Sequence, residues 1–416
     1  MTFERMAWLP WAVAALLGLG IPRAFLLLYG VLLGVIWCSG RRGGPHPSPW
    51  VQWSTLWLAL FGIAYASAQL SWGVWAPLHA HLPEIVAVVI LPPAALQAGW
   101  RLPRFGSSRL TGLILAYALG ALIYALLSLA LSRTPWWDLA ETFQLNVRVP
   151  WGSEPVMNMR SVEQRAFPAL ACLPVALPLL FRPGAHRSWM GLALLVMSGL
   201  AAHVAWAYQG RIGLVVIGLA SLPVFVFGCR RFGWLVCGVG AAGAAVLVSA
   251  RPGGVQICDE RWWLQRGFLQ HLLDAPWGGR LIQFSYHDCQ PDVWLRFGSV
   301  DGASTFSPHN VVLDIWNDAG WPATVCVLLA MVPLLLGLLW GFWRLFTQNP
   351  WQGSLALRWS MVSVLITQWL LQPFFYSDQL MFSLGFVLIG ALLAEFTMHS
   401  PEDCPAAKPS RPGTSD

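Results

Sequence analysis

The sequence His309-Asn310-Val311-Val312-Leu313 stands where a polar stretch, residues 251–308, meets a long apolar run that passes through Gly320. An imidazole titrates near pH ~6.5 and can take a proton from a hydroxyl, and ionisable groups at a bilayer edge are rarely there to fill space. His309 is therefore the first candidate for a general base, with a plain loop or capping histidine as the alternative. Asn310 is placed to hold the ring or to cap the helix that follows. Three further polar groups could work with this histidine. Gln209-Gly210-Arg211-Ile212-Gly213 is a tight connection with one arginine at its tip. Asp259-Glu260-Arg261-Trp262-Trp263 leads through an amphipathic stretch carrying Arg266 to Ala275-Pro276-Trp277-Gly278-Gly279 and then Arg280. Arg148, Arg160 and Arg165 lie on or just after a second polar stretch, residues 132–160. A guanidinium binds phosphate oxygens through two parallel hydrogen bonds, so these cations, Arg211, Arg261 and Arg160 foremost, suit a phosphate-bearing ligand. Each also has an ordinary reading as a solvated or snorkelling side chain. Asp259 and Glu260 are read as orienting Arg261.

The elements that must carry these residues follow from composition. With 56% apolar and 11% charged residues over 416 positions, the chain has too little polar surface for a soluble globule of its size. Apolar runs recur at lengths that cross a hydrocarbon layer of ~30 Å as helices. Barrel strands, which alternate apolar and polar residues over ~10 positions, would not read this way. The expected fold is an all-α polytopic membrane protein. Its expected spans are 7–21, 24–38, 51–72, 83–100, 111–131, 161–181, 188–208, 212–227, 232–249, 309–343, 355–373 and 379–395. They form one transmembrane domain, residues 1–396, ahead of a disordered tail, 397–416, rich in Pro, Ser and Ala. The first span, which lacks a small-residue cleavage site, is read as retained. The 26 tryptophans cluster at span ends, for example Trp72 and Trp75, Trp136 and Trp137, and Trp340 and Trp343, where they act first as interfacial anchors.

Positive charge in short loops marks the cytoplasmic side. Arg41 and Arg42, Arg101, Arg104 and Arg109, Arg182 and Arg187, Arg230 and Arg231, and Arg344 and Arg358 all fall on even-numbered connections. Both termini are then cytoplasmic, and the polar stretches 132–160 and 251–308 share the opposite face with His309 and Arg211. Of the eight cysteines only Cys258 and Cys289 lie in the longer of these stretches; a bridge between them and two unpaired thiols both remain open. There is no metal-ligand spacing, glycine-rich phosphate loop, Asp-x-Asp clamp or fixed-period repeat, and nothing points to nucleic acid. Lys408 is the only lysine among 25 basic residues, a bias that phosphate recognition or genomic base composition would each produce.

Taken in order, Arg160, Arg211, Arg261, the Ala275–Gly279 turn, His309-Asn310-x-x-Leu313 and Gly320 resemble the polytopic ligase and polymerase superfamily of bacterial surface polysaccharides, in particular the O-antigen ligases. The resemblance covers residues 160–320 in motif and the whole chain in topology: about twelve helices with one large periplasmic loop late in the sequence. It implies a bacterial inner-membrane glycosyltransferase. The donor would be O-antigen on undecaprenyl diphosphate and the acceptor the lipid A-core, with His309 as base, arginines on the diphosphate and no cofactor. The residues support such chemistry without the resemblance. A glycosyl diphosphate already carries a good leaving group, so a base and fixed positive charge suffice.

Three other functions compete. An O-antigen polymerase uses the same donor but commonly carries two comparable outer loops, and a protein-directed oligosaccharide transferase commonly carries a further outer domain. A lipid-linked glycan transporter would show paired half-chains and ionisable groups near mid-membrane. Here the charges crowd at one rim and no half repeats the other.

Overall fold

A computed structural model describes residues 8–20, 27, 29–34, 47–102, 107–131, 162–180, 185–207, 212–228, 261–278, 284–285, 304–305, 308–348, 353–372 and 379–398. The expected span 232–249, the stretch 132–160 and the tail beyond Met398 lie outside them. The helices are α1 (Leu9–Leu19), α2 (Pro49–Ser71), α3 (Leu78–Arg101), α4 (Ser107–Leu131), α5 (Val162–Leu170) and α6 (Leu173–Leu180). They continue with α7 (Ala185–Ala207), α8 (Ile212–Gly228), α9 (Arg261–Asp274), α10 (Val311–Gln348), α11 (Gly353–Leu371) and α12 (Gln379–Met398). Among the described residues the only strands are β1 (Phe284–Ser285) and β2 (Ser304–Thr305), one antiparallel pair that pins two points of the polar stretch together. Among the described residues, five segments are long and apolar enough to cross a membrane: Leu78–Arg101, Leu110–Ala130, Ser188–Ala205, Val311–Gln348 and Gly353–Leu371. The chain is a helical, multi-pass membrane protein by that measure.

Three expected spans are not simple helices, and one of them, 309–343, is interrupted at Gly320. The run 161–181 breaks at Ala171 and Cys172 into α5 and α6, because Pro174 has no N–H to offer the preceding turn. The buried Ala169 carbonyl, which accepts from the Cys172 N–H at 3.1 Å, also takes the Ser198 hydroxyl of α7 at 3.0 Å. In α3 the turns widen to a π-helix over Val86–Ile90, just ahead of Pro92 and Pro93, which cannot donate backward.

Packing follows the rule for helices in lipid, where close backbone approach replaces the hydrophobic effect. On α1 and α4 an added Cβ at Gly18 would overlap the Tyr117 carbonyl, and one at Gly120 the Ala15 carbonyl. On α3 and α12 the same reciprocity holds for Gly99 against Val387 and Gly390 against Leu96. Elsewhere α2 lies along α10, α5 and α6 along α7, and α8 along α11. Phe61, Phe382, Phe386 and Trp369 form a continuous cluster of edge-to-face and tilted rings between α2, α11 and α12, with ring centroids 5.1–6.3 Å apart.

One charge differs from its expected role. Arg358 is not a loop cation on the cytoplasmic side. It is buried in α11 and donates to Glu395 of α12, so it says nothing about orientation. A buried pair that loses one partner leaves a bare charge in a poor solvent, at a cost of about 3–5 kcal/mol. Glu395→Ala should therefore lower the thermal midpoint of the purified protein sharply, whereas the paired change Arg358→Met with Glu395→Leu should recover most of the loss. Equal loss in both would mean that the pair contributes packing alone.

Candidate functional site

His309 has φ +57°, the only positive value at a non-glycine position among the described residues. That left-handed conformation costs a residue with a side chain about 1–2 kcal/mol, so neighbours must hold it. Asn310 is the cap of α10. Its Oδ1 accepts from the Val312 N–H at 3.0 Å and the Leu313 N–H at 3.4 Å, while its own carbonyl takes the Asp314 N–H at 2.7 Å. Its Nδ2 donates across to the Leu370 carbonyl of α11 at 3.4 Å. From α9, Gln265 Nε2 donates to the same Leu370 carbonyl at 2.7 Å and to the His309 carbonyl at 3.3 Å. The half-buried histidine is thus fixed at a corner where α9, α10 and α11 meet.

The end of α11 also reaches α5. Gln164 Nε2 donates to Gln372 Oε1 at 2.7 Å, and Gln368 Nε2 donates to the Gln164 carbonyl at 3.3 Å. The next residue, Arg165, is buried, with its guanidinium carbon 5.8 Å from the centre of the Tyr124 ring of α4. A desolvated cation on an aromatic face is worth up to about 2 kcal/mol. His309, Asn310 and Arg165 are therefore brought to one end of the bundle by amide side chains of α5, α9 and α10 that converge on the end of α11. Arg266 is not: it projects exposed from α9. Arg261 opens α9 by its backbone, and its side chain lies outside the described residues. So do Arg148, Arg160, Arg211, Arg280, Cys258 and Cys289.

The first section of α10 carries polar residues that the sequence reading passed over. Asp314, Asn317 and Asp318, at i, i+3 and i+4, are all buried along α2. Tyr65 donates its hydroxyl to Asp318 Oδ2 at 3.0 Å, and Gln69 Nε2 donates to the Asp318 carbonyl at 2.6 Å. The signal was available: two acids four residues apart inside an apolar run belong to a buried face. Tyr65 in turn packs on Trp75 at 5.8 Å, whose indole N–H donates to Glu84 Oε2 at 3.1 Å, with His81 Nδ1 at 3.3 Å from the same oxygen.

At Gly320, φ +76° and ψ 178°, the helix breaks. The turn Pro276–Trp277–Gly278 fits the break, and Gly278, at φ +72°, matches it. The Trp277 carbonyl occupies the space a Cβ on Gly320 would need, and the Trp316 carbonyl does the same for Gly278. The Pro276 carbonyl accepts from the Trp321 N–H at 3.0 Å and from Trp316 Nε1 at 2.9 Å. Backbone groups released by the break are taken up by the turn and by Gln69, as they must be away from water.

The arrangement offers a half-buried imidazole in a strained, well-supported corner, with one buried guanidinium at the same end. Among the described residues no three His, Cys, Asp or Glu side chains converge as metal ligands would. Compared with known protein families and with curated proteins, the chain matches none of them. Either Gly320→Ala or Gly278→Ala would drive a methyl into a carbonyl and should cost about 1–3 kcal/mol locally. Limited proteolysis of the variants should cut near residue 280 markedly faster than in the parent protein. Cleavage rates equal to the parent's would mean that turn and break do not depend on each other.

Proposed function

We propose that the protein is an O-antigen ligase: a metal-independent, inverting glycosyltransferase that moves a preassembled glycan from undecaprenyl diphosphate to the lipid A-core during lipopolysaccharide biosynthesis. One observation supports this reading above the rest. The histidine picked out by the His309-Asn310-x-x-Leu313 pattern is the one non-glycine residue, among those described, held in a left-handed conformation, and three helices hold it there. Strain of this kind concentrates at functional sites, where surrounding structure over-determines one geometry.

In the proposed reaction the acceptor hydroxyl gives its proton to the His309 imidazole, and its oxygen attacks the anomeric carbon on the face opposite the diphosphate. The bond from that carbon to the diphosphate oxygen breaks, and undecaprenyl diphosphate leaves with its added negative charge. Arg211, Arg261 and Arg160 are proposed to meet that charge, with Arg148, Arg165, Arg266 and Arg280 in support. The proposal includes twelve spans, cytoplasmic termini and a site on the periplasmic face of the inner membrane. Arg165 is the one member of the set whose described side chain is buried at the end of the bundle that carries His309.

His309→Ala should abolish capping of lipid A-core in cells lacking their own ligase while the variant still reaches the membrane; near-normal capping would remove the imidazole from the chemistry. A single donor aimed at developing charge is worth ~3 kcal/mol, so Arg211→Ala or Arg261→Ala should slow turnover by about two orders of magnitude. With purified lipid-linked donor, product on added lipid A-core identifies a ligase and product on a second donor molecule a polymerase. Activity should persist in strong chelator, and recovery only on adding divalent ions would overturn the metal-free mechanism.

A further inference from the structure

The α9 helix has three sides. Phe268 and Leu272 are fully buried, and Gln265 beside them reaches His309 and Leu370, so this side faces the protein. Arg266, Gln270, His271 and Asp274 are exposed along the far side. Between these two sides runs an apolar edge left open: Leu269 is 41% exposed, Leu273 64% and Trp277, just beyond the helix, 64%. An amphipathic helix in water has no reason to present leucines at i and i+4 followed by a tryptophan at i+8.

The edge continues an exposed apolar surface on a helix long enough to cross a membrane. On α10 the residues Trp321, Val325, Leu328, Val332, Leu336, Leu339 and Trp343 form one exposed apolar stripe at helical spacing on a membrane-crossing helix. Tryptophans mark both ends of it, and from Trp321 to Trp343 the helix rises about 33 Å at ~1.5 Å per residue, close to the ~30 Å of a hydrocarbon core. Trp321 therefore sits at the boundary between acyl chains and headgroups, the ordinary place for an indole. Trp277 packs on Trp321 with ring centroids 5.9 Å apart, so the apolar edge of α9 joins the α10 stripe at that level.

We infer that α9 is a membrane-surface helix whose Leu269–Leu273–Trp277 edge rests in the boundary between headgroups and acyl chains, so that the bilayer supports one side of the helix that holds His309. The inference goes beyond the proposed transfer reaction and does not depend on it. It concerns only what covers this edge.

The test is made on the full-length protein in phosphatidylethanolamine–phosphatidylglycerol nanodiscs. A nitroxide is placed in turn at Leu269→Cys, Leu273→Cys, Gln270→Cys and Asp274→Cys, with the eight native cysteines replaced. The ratio of oxygen to water-soluble nickel collisions should be at least about fivefold higher at positions 269 and 273 than at 270 and 274, as expected for one immersed face of an interfacial helix. Val325→Cys, on the α10 stripe, reports correct insertion. Four equal, water-like ratios would overturn the inference, and so would positions 269 and 273 sheltered from both reagents, since another part of the chain would then cover them. Should the labelled variants fail to insert, the unmodified protein is photolabelled from a headgroup-borne diazirine lipid and cut after arginine. Label in the peptide 267–280 supports membrane contact, and its absence there, with label present in α10, refutes it.

Discussion

A helix cannot simply stop inside or beside a bilayer, because every backbone group it releases must find a partner without help from water. Much of what distinguishes this protein follows from how it meets that constraint at Gly320. The break frees the Trp321 N–H, and Pro322, which has no N–H, leaves the Asp318 carbonyl without its helical donor; the Pro276 carbonyl takes the first and Gln69 the second. Satisfying these two groups recruits the Pro276–Gly278 turn from the polar stretch and the end of α2. The nine residues ahead of the break then become a short helix tied to α2, α9 and α11 rather than the top of a straight span. His309 sits at the start of that short helix, in a conformation it would not hold alone.

The acid pair fits the same logic. Asp318 would be costly on a lipid-facing surface, yet facing α2 it receives the Tyr65 hydroxyl and helps fix the rotation of the short helix. On the opposite flank the Leu370 carbonyl, freed at the end of α11, accepts from both Asn310 and Gln265. Unsatisfied groups at the ends of two helices are thus used to lock a third. Nothing comparable surrounds Arg266, which is why it leaves the cluster although it neighbours Gln265.

Much of this could be read from the residues themselves. The helical, membrane-spanning character was plain in the apolar runs, since length and composition suffice to identify them. The boundaries of α2, α4, α7, α11 and α12 fall within a few residues of expectation, fixed by Pro49, Gly353 and the polar connections around them. The amphipathic stretch beyond Arg261 is the helix α9. His309 and Asn310 stood out because a polar pair at the mouth of an apolar run is rare. The break at Gly320 had a signal in Pro322, two residues on, which removes a helical donor, but the residues alone do not say that Gly320 would turn to positive φ there. The partners Tyr65, Gln69, Gln164, Gln265 and Gln372 were missed for a related reason. They lie far apart in sequence, and a neutral amide or phenol shows no periodicity that marks it as a tie between helices. Arg358 was misread because a cation little more than one turn into a helix looks like a loop charge until its partner on another helix is known.

In the proposed transfer reaction the broken helix would hold His309 where a hydroxyl can give up its proton. Turnover and donor binding of Gly320→Ala, measured side by side in nanodiscs with purified lipid-linked donor and lipid A-core, test it most directly. The account predicts that donor affinity stays within a few-fold of the parent while turnover falls by about two orders of magnitude, the scale on which misplacement of a catalytic group acts. Full turnover in that variant would contradict it.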